Sequence, residues 1–289
     1  MWTIMSNLKN KLKKNNVTKN EVFLLFALIY FYFLLLLLIL LYFENILLKF
    51  ILINEILLLV CFHFYYLIQN KIKNNRDLKA QINNYKQLES YISLVSSIKI
   101  CHPLPLMRNS SISPDLANII VSQMLYKKPK NILELGSGVS TLIVSYCINM
   151  NGIGHVWSLD NEKKYADISI NNLKKHNLLE HATIIFSPLQ EIYFENKKYY
   201  YYDSNFFNNI NFNIDLLIID GPPRKYSPEI RYLALPLLYN QLNKDAIIII
   251  DDANRDGEKI IVQQWLDRYK NLTYEWFDTE KGTVILKNV

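Results

Sequence analysis

Residues 22–43, VFLLFALIYFYFLLLLLILLYF, run without a single charge, and no other stretch restricts the fold of this chain as strongly. At 1.5 Å per residue the run makes a helix of roughly 33 Å, enough to cross a bilayer. It is apolar on every face, so it needs an apolar environment on every face, which a soluble core rarely supplies. It is too long for the apolar region of a cleaved signal peptide, and no small-residue cleavage site follows it.

A second apolar run, Phe50–Ile68, follows after a short break. It makes a helix of about 28 Å, but Glu55 lies inside it and is costly in hydrocarbon. An interfacial helix competes with a second span here. Charge placement favours a hairpin of two spans turning over Glu44–Lys49. Five lysines precede the first run, and Lys71, Lys73, Arg76 and Lys79 follow the second. Basic flanks on both sides place both ends in the cytoplasm. Were only residues 22–43 to cross, the same rule would put the rest of the chain on the opposite side.

The net charge of +6 belongs wholly to this end: residues 1–80 hold ten Lys/Arg against four acids, and residues 81–289 hold 22 of each. The excess therefore points to a membrane surface, and the remainder lacks the basic footprint of a nucleic-acid binder. Three widely spaced cysteines, Cys61, Cys101 and Cys147, offer neither a disulfide framework nor a CxxC pair. The expected organisation is a basic cytoplasmic N-terminus (1–21), a membrane anchor (22–68), a linker with a short amphipathic helix around Leu88, Ile92 and Val95 (69–102), and a folded domain (103–289).

Within that domain Ser113-Pro114-Asp115 starts a helix that stops before Pro129. From Asn131 strands and helices alternate. Strands are predicted at 131–135, 155–160, 182–187, 215–220 and 246–251, with helices at about 140–147, 162–177, 228–242 and 257–270. A close-spaced pair, 272–278 and 283–288, reads as a terminal hairpin. Central strands that are apolar almost throughout are covered on both faces. The fold class is α/β: a doubly wound, mostly parallel seven-stranded sheet with a terminal antiparallel hairpin, preceded by a transmembrane helical hairpin. Residues 192–213, rich in Tyr, Phe and Asn, form an insertion between the third and fourth strands.

In such sheets ligands sit beyond the carboxyl ends of the strands, near the point where strand order reverses. The first strand ends in Glu134-Leu135-Gly136-Ser137-Gly138-Val139-Ser140-Thr141. Two glycines let the backbone approach a ligand closely, and the following helix offers free N–H groups. The third glycine of a dinucleotide fingerprint is absent, since Thr141 stands in its place. Asp160 ends the second strand, 24 residues after Gly136, where a carboxylate can accept hydrogen bonds from both hydroxyls of a ribose. Together they indicate a nucleoside site, although Asp160 could instead cap the next helix.

At ILELGSGVSTLIVS, LDNEKKYADISINNL and DLLIIDGPP the sequence resembles the class I S-adenosylmethionine-dependent methyltransferases, over roughly residues 103–289. IIDGPPRKYSPEIRYLALPLL followed by IIIIDDANRDGE is similar to a bacterial branch related to small-molecule O-methyltransferases. The resemblance implies that Glu134, Gly136, Ser137 and Gly138 border the methionine part of S-adenosylmethionine, Asp160 its ribose, and Ser187-Pro188-Leu189 its adenine. It implies methyl transfer to a hydroxyl of a small-molecule, sugar or lipid-linked envelope acceptor, by an enzyme held at the cell membrane with its soluble domain facing the cytoplasm. A catalytically silent scaffold with the same fold is the alternative.

Asp220, Asp251 and Asp252 all follow apolar strands, so their carboxylates can converge at one sheet edge. Such a cluster could hold Mg²⁺, which would orient an acceptor hydroxyl and lower its pKa. Asp220 or Asp251 could equally act as a metal-free general base, or all three could serve turns and caps. Catechol-type relatives use two aspartates and an asparagine for the metal and a lysine as base. Asp252 stands at the asparagine position and Pro223 at the lysine position, with Arg224 and Lys225 adjacent.

Overall fold

The computed structural model describes residues 19–42 and 46–289. The expected basic N-terminus falls mostly outside them, as do Phe43 at the end of the first apolar run and residues 44 and 45 of the expected turn. The chain divides between Lys79 and Ala80 into two compact units.

The first unit holds helix α1 (Lys19–Tyr42) and the start of helix α2 (Ile46–Ser97). Among the described residues, α2 is long and apolar enough to cross a membrane. None of its most apolar stretch is buried, and Leu58 and Phe62 stand open to their surroundings. The Glu55 carboxylate lies 3.5 Å from the Tyr32 hydroxyl of α1.

The helix does not end where a polar linker is expected, because nothing between Asn70 and Ser97 breaks it: the segment has no Pro or Gly. Its last turns belong to the second unit, where they bury a different face from the one expected. Leu88 and Ile92 are exposed, whereas Gln87, Leu94 and Ile98 are buried. Gln87 is tolerated inside because its amide donates to Asp115 Oδ2 at 2.7 Å, which meets the requirement for a buried polar group. Asp115 opens helix α3 (Pro114–Lys127).

Beyond α3 the order is β1 (Asn131–Leu135), α4 (Val139–Asn151), β2 (His155–Asp160), α5 (Lys163–Lys175), β3 (Ala182–Phe186), β4 (Leu189–Phe194), β5 (Lys197–Tyr202), α6 (Ser204–Asn209) and β6 (Ile214–Ile219). It continues with α7 (Ala234–Leu238), β7 (Leu242–Ile250), α8 (Asp256–Arg268), β8 (Leu272–Phe277) and β9 (Thr283–Asn288). Seven strands form the main sheet in the order β3-β2-β1-β6-β7-β9-β8. β3 to β7 across this order are parallel, and β9 is antiparallel to both β7 and β8.

Period-two alternation distributes the strand residues between two cores. Ile132, Leu216, Ile218, Ile247 and Ile249 join one with α3 and α4. Leu133, Leu217, Ile219, Ile248 and Ile250 join the other with α7 and α8. Burying an Ile or Leu contributes about 1.5–3 kcal/mol, so neither face of such strands can be left to water.

Two local differences from expectation have clear causes. The helix expected at 228–242 is broken into a 3₁₀ turn (Ile230–Leu233), α7 and a second 3₁₀ turn (Tyr239–Gln241), since Pro236 supplies no N–H to a continuous helix. The aromatic insertion contains a second sheet, the β4–β5 hairpin, whose two-residue loop Glu195-Asn196 has positive φ at both positions, as the tight hairpin turns require.

Candidate active site

The chain winds outward from β1 to β3 and returns beside β1 as β6, so strand order reverses between β1 and β6. A cavity of about 650 Å³ lies there, lined by Gly136, Ser137, Gly138, Asp160, Asp220, Gly221, Asp252 and Lys281 among others. Backbone pairing continues past the strand ends and fixes the residues that line it. Gly136 N–H donates to Leu159 O at 2.8 Å, Asp220 N–H to Leu135 O at 2.9 Å, and Asp251 N–H to Ile219 O at 3.1 Å.

The turn after β1 depends on glycine. Gly136 has φ +103°, and a Cβ there would lie 3.0 Å from Gly221 N. A Cβ on Gly221 would lie 3.1 Å from Gly136 Cα and closer still to the Tyr202 hydroxyl. The loops after β1 and β6 therefore cross backbone against backbone, which brings Asp220 beside the glycine turn.

Glu134 and Asp160 hold the β1–β2 side. Glu134 is fully buried; its Oε2 accepts from Thr141 Oγ1 and, at 2.6 Å, from Ser158 Oγ. Its Oε1 is buried with no hydrogen-bond partner among the described residues. Burial pushes Glu134 up to about 7, against the downward pull of hydroxyls on Ser140, Ser158 and Thr141. Asp160 Oδ1 accepts from Glu162 N–H at 2.9 Å and Oδ2 from Ser137 Oγ at 2.7 Å. Burial raises its pKa too. The bond from Glu162 N–H shows that Asp160 also turns the chain into α5, while its carboxylate still borders the cavity.

Ser187 and Leu189 lie outside this cavity wall. Ser187 Oγ accepts from Asp203 N–H at 3.0 Å, and Leu189 packs on the core that contains α7 and α8. One face of α5 forms part of the wall with Tyr165, Ile168, Ser169 and Asn172. That face was legible as a three-and-four spacing directly after the acidic strand end. The loop Pro105–Ile112 lines the other side, and Leu106 is 94% exposed.

Asp220, Asp251 and Asp252 converge as their strand positions imply, each with a carboxylate oxygen within 4.8 Å of the others. Cations from other elements reach into the same cluster. The buried Arg231 guanidinium, on the 3₁₀ turn before α7, donates to Asp252 Oδ2 at 3.0 Å and to the Asp251 carbonyl at 3.0 Å. It also lies 3.3 Å from Asp220 Oδ1 and 3.6 Å from Glu258 Oε1. Arg255 is 2.5 Å from Asp252 Oδ2. Lys281, between β8 and β9, donates from Nζ to Asp251 Oδ2 at 3.0 Å.

Burial works against the charge of both Arg231 and Lys281, but the surrounding carboxylates outweigh it and raise both pKa values. Asp251 moves up to about 7, through burial first and the neighbouring Asp220 second, against Lys281. The donor set has the oxygen chemistry of a hard-cation site. The chain's own ammonium and guanidinium groups already pair with these carboxylates.

This fold is that of the class I S-adenosylmethionine-dependent methyltransferases, in broad outline their small-molecule O-methyltransferase-like branch. Residues 133–253, from β1 to the loop after β7, match a family described as a methyltransferase domain. A putative O-methyltransferase from Klebsiella pneumoniae has the same fold at 15% identity and TM-score 0.51, covering 72% of this chain and 96% of that one. The O-methyltransferase of tomaymycin synthesis from Streptomyces achromogenes, solved with S-adenosylmethionine, superposes at 10% identity and TM-score 0.50, with coverage of 72% and 96%. A methyltransferase from Podospora anserina, bound to S-adenosylhomocysteine, does so at 14% identity and TM-score 0.50, with coverage of 70% and 87%. No curated protein sequence matches the chain.

Proposed function

We propose that the chain is a membrane-anchored enzyme that transfers a methyl group from S-adenosylmethionine to a hydroxyl of a small-molecule, sugar or lipid-linked acceptor. The observation that carries this reading is the β1–β2 side of the cavity. Glu134 and Asp160 are buried acids facing a glycine turn, held by hydroxyls and a backbone amide. A ligand that brings positive charge and a ribose suits such a site, as a neutral or anionic one would not.

Bound there, S-adenosylmethionine supplies an electrophilic methyl on a sulfonium, whose sulfur keeps the C–S electron pair when the acceptor oxygen forms its bond to the methyl carbon. Gly136, Ser137 and Gly138 border the methionine part, and Glu134 stands behind them. Asp160 accepts from the ribose hydroxyls through the lone pairs its Ser137 and Glu162 bonds leave open. Tyr165 and Ile168, which line the cavity, flank the adenine. Asp220 lines the cavity and takes the proton of the acceptor hydroxyl. Asp251 sits behind it, with Oδ1 bonded to Asp252 N–H at 2.7 Å and Oδ2 to Lys281, so it serves by positioning. Alignment does most of the remaining work, since holding the oxygen in line with the methyl removes the entropy of encounter.

The apolar helices supply the anchor, and basic flanks place the domain in the compartment that contains the cofactor. Titration calorimetry of the full-length protein in detergent with S-adenosylmethionine tests the reading, and no heat of binding up to millimolar cofactor would refute it. Mass spectrometry of envelope sugars and lipids from a deletion strain then identifies the acceptor as the species that lacks one methyl group.

A further inference from the structure

The turn that carries Lys281 is fixed from two sides. On one side Ala253 N–H donates to Gly282 O at 2.9 Å and Asn254 N–H to Lys281 O at 3.1 Å. Gly282 has φ +78°, and a Cβ there would run into Asn254, so no other residue lets the turn lie so close to the loop after β7. On the other side Glu280 accepts from Arg108 Nε at 2.9 and 3.0 Å, and its N–H donates to Asp115 Oδ2 at 2.8 Å. The backbone at Lys281 is thus held against the loop after β7.

Its side chain reaches into the acid cluster. Lys281 Nζ donates to Ser111 O at 3.0 Å and Asp251 Oδ2 at 3.0 Å, and it stands 4.0 Å from Asp252 Oδ1. Asp252 Oδ1 is buried and makes no hydrogen bond among the described residues, so Nζ is the charge it faces. An ammonium has three N–H donors. Two are used, and Lys281 lines the cavity, which leaves the third for an oxygen of a ligand beside Asp220.

We propose that Lys281 is the resident cation of the Asp220–Asp251–Asp252 cluster, standing where a divalent ion would otherwise sit and placing an N–H on the acceptor oxygen. The lysine missing after the fourth parallel strand, where Pro223 stands, is thus supplied from the turn of the terminal hairpin. Its action on the acceptor rests on the methyl-transfer reading: as Asp220 takes the proton, the ammonium neutralises the oxygen charge that develops and remains protonated itself. The exclusion of a metal ion rests only on the cluster.

Manganese titration of the full-length protein in detergent, followed by the electron paramagnetic resonance of free Mn²⁺, tests the assignment. The wild type is expected to leave the ion in solution. Lys281→Met is expected to take up one Mn²⁺ per chain, more tightly than wild type by about tenfold or more, because a unit charge beside the ion has been removed. Lys281→Arg should behave as wild type. Tight uptake of one Mn²⁺ by the wild type overturns the proposal whatever the variants do. So does absence of uptake by Lys281→Met and by Lys281→Gln when either keeps its circular dichroism. Calorimetry with S-adenosylmethionine on the same samples separates the two ideas: lost cofactor binding in the wild type removes the methyl-transfer reading, and metal uptake removes this one.

Discussion

At the β1–β2 half of the sheet edge, Glu134 and Asp160 are held by hydroxyls and a backbone amide, with no cation against either among the described residues. At the β6–β7 half, Asp220, Asp251, Asp252 and Glu258 are interleaved with Arg231, Arg255 and Lys281. Both halves bury carboxylates at the ends of parallel strands, yet only the second compensates them. Uncompensated acids beside a cavity carry a standing electrostatic cost that a cationic ligand relieves. Compensated acids are already part of the architecture, and a further cation must displace one that is built in.

The contrast can be broken at four places. Arg231→Met should have the largest effect, because it strips a buried counter-charge from Asp252, Asp220 and Glu258 at once. Loss of one partner of a buried pair costs about 3–5 kcal/mol, so the denaturation midpoint of the full-length protein should fall steeply by tryptophan fluorescence. An unchanged midpoint would mean that the acids are not charged in the fold.

Glu134→Gln probes the uncompensated half through pH. A carboxyl raised to about 7 contributes stability that is complete below its unfolded value and is lost as pH rises through 7. The glutamine variant should therefore gain on wild type across that window, by up to about 3 kcal/mol for a shift of this size. Denaturation curves at pH 5 and pH 8 measure it, and a constant difference would place Glu134 among ordinary carboxylates.

Asp160→Ala should weaken S-adenosylmethionine binding by about 10–100-fold, the range for losing charged hydrogen bonds, with little change in the midpoint. Equal loss of binding and fold would make Asp160 a helix-start residue alone. Lys225→Ala should do least. Its bond to Glu162, 2.7 Å long, joins exposed side chains at the cavity rim, and such pairs are weak and screened. A midpoint shift that disappears in salt is the most it should show.

The two halves also differ in how far the sequence disclosed them. Gly136, Asp160 and the three aspartates were readable because each ends an apolar strand, and a parallel sheet brings strand ends together whatever lies between them. Arg231 and Lys281 were not, since they come from a 3₁₀ turn and a hairpin turn whose positions depend on tertiary packing, and nothing local distinguishes them from surface cations. Ser187 and Leu189 enter only through family resemblance, since nothing in their own spacing marks a ligand site. The β4–β5 hairpin was hidden by a run of tyrosines, although Glu195-Asn196 carried its turn signal. The end of α2 is hard to read from sequence because Leu88, Ile92 and Val95 look like a buried face, while the buried position Gln87 looks like a surface residue until Asp115 is placed beside it.

That glutamine determines where the protein can be cut. A soluble fragment begun at residue 103, where the family likeness starts, would discard Gln87, Leu94 and Ile98 together. It would strip an amide from Asp115 and open an oily flank over the N-terminal core, and its expected fate in expression is aggregation. A fragment begun at Ala80 keeps the closing turns of α2 and omits the hydrocarbon-length stretch, which makes it the shorter form to crystallise.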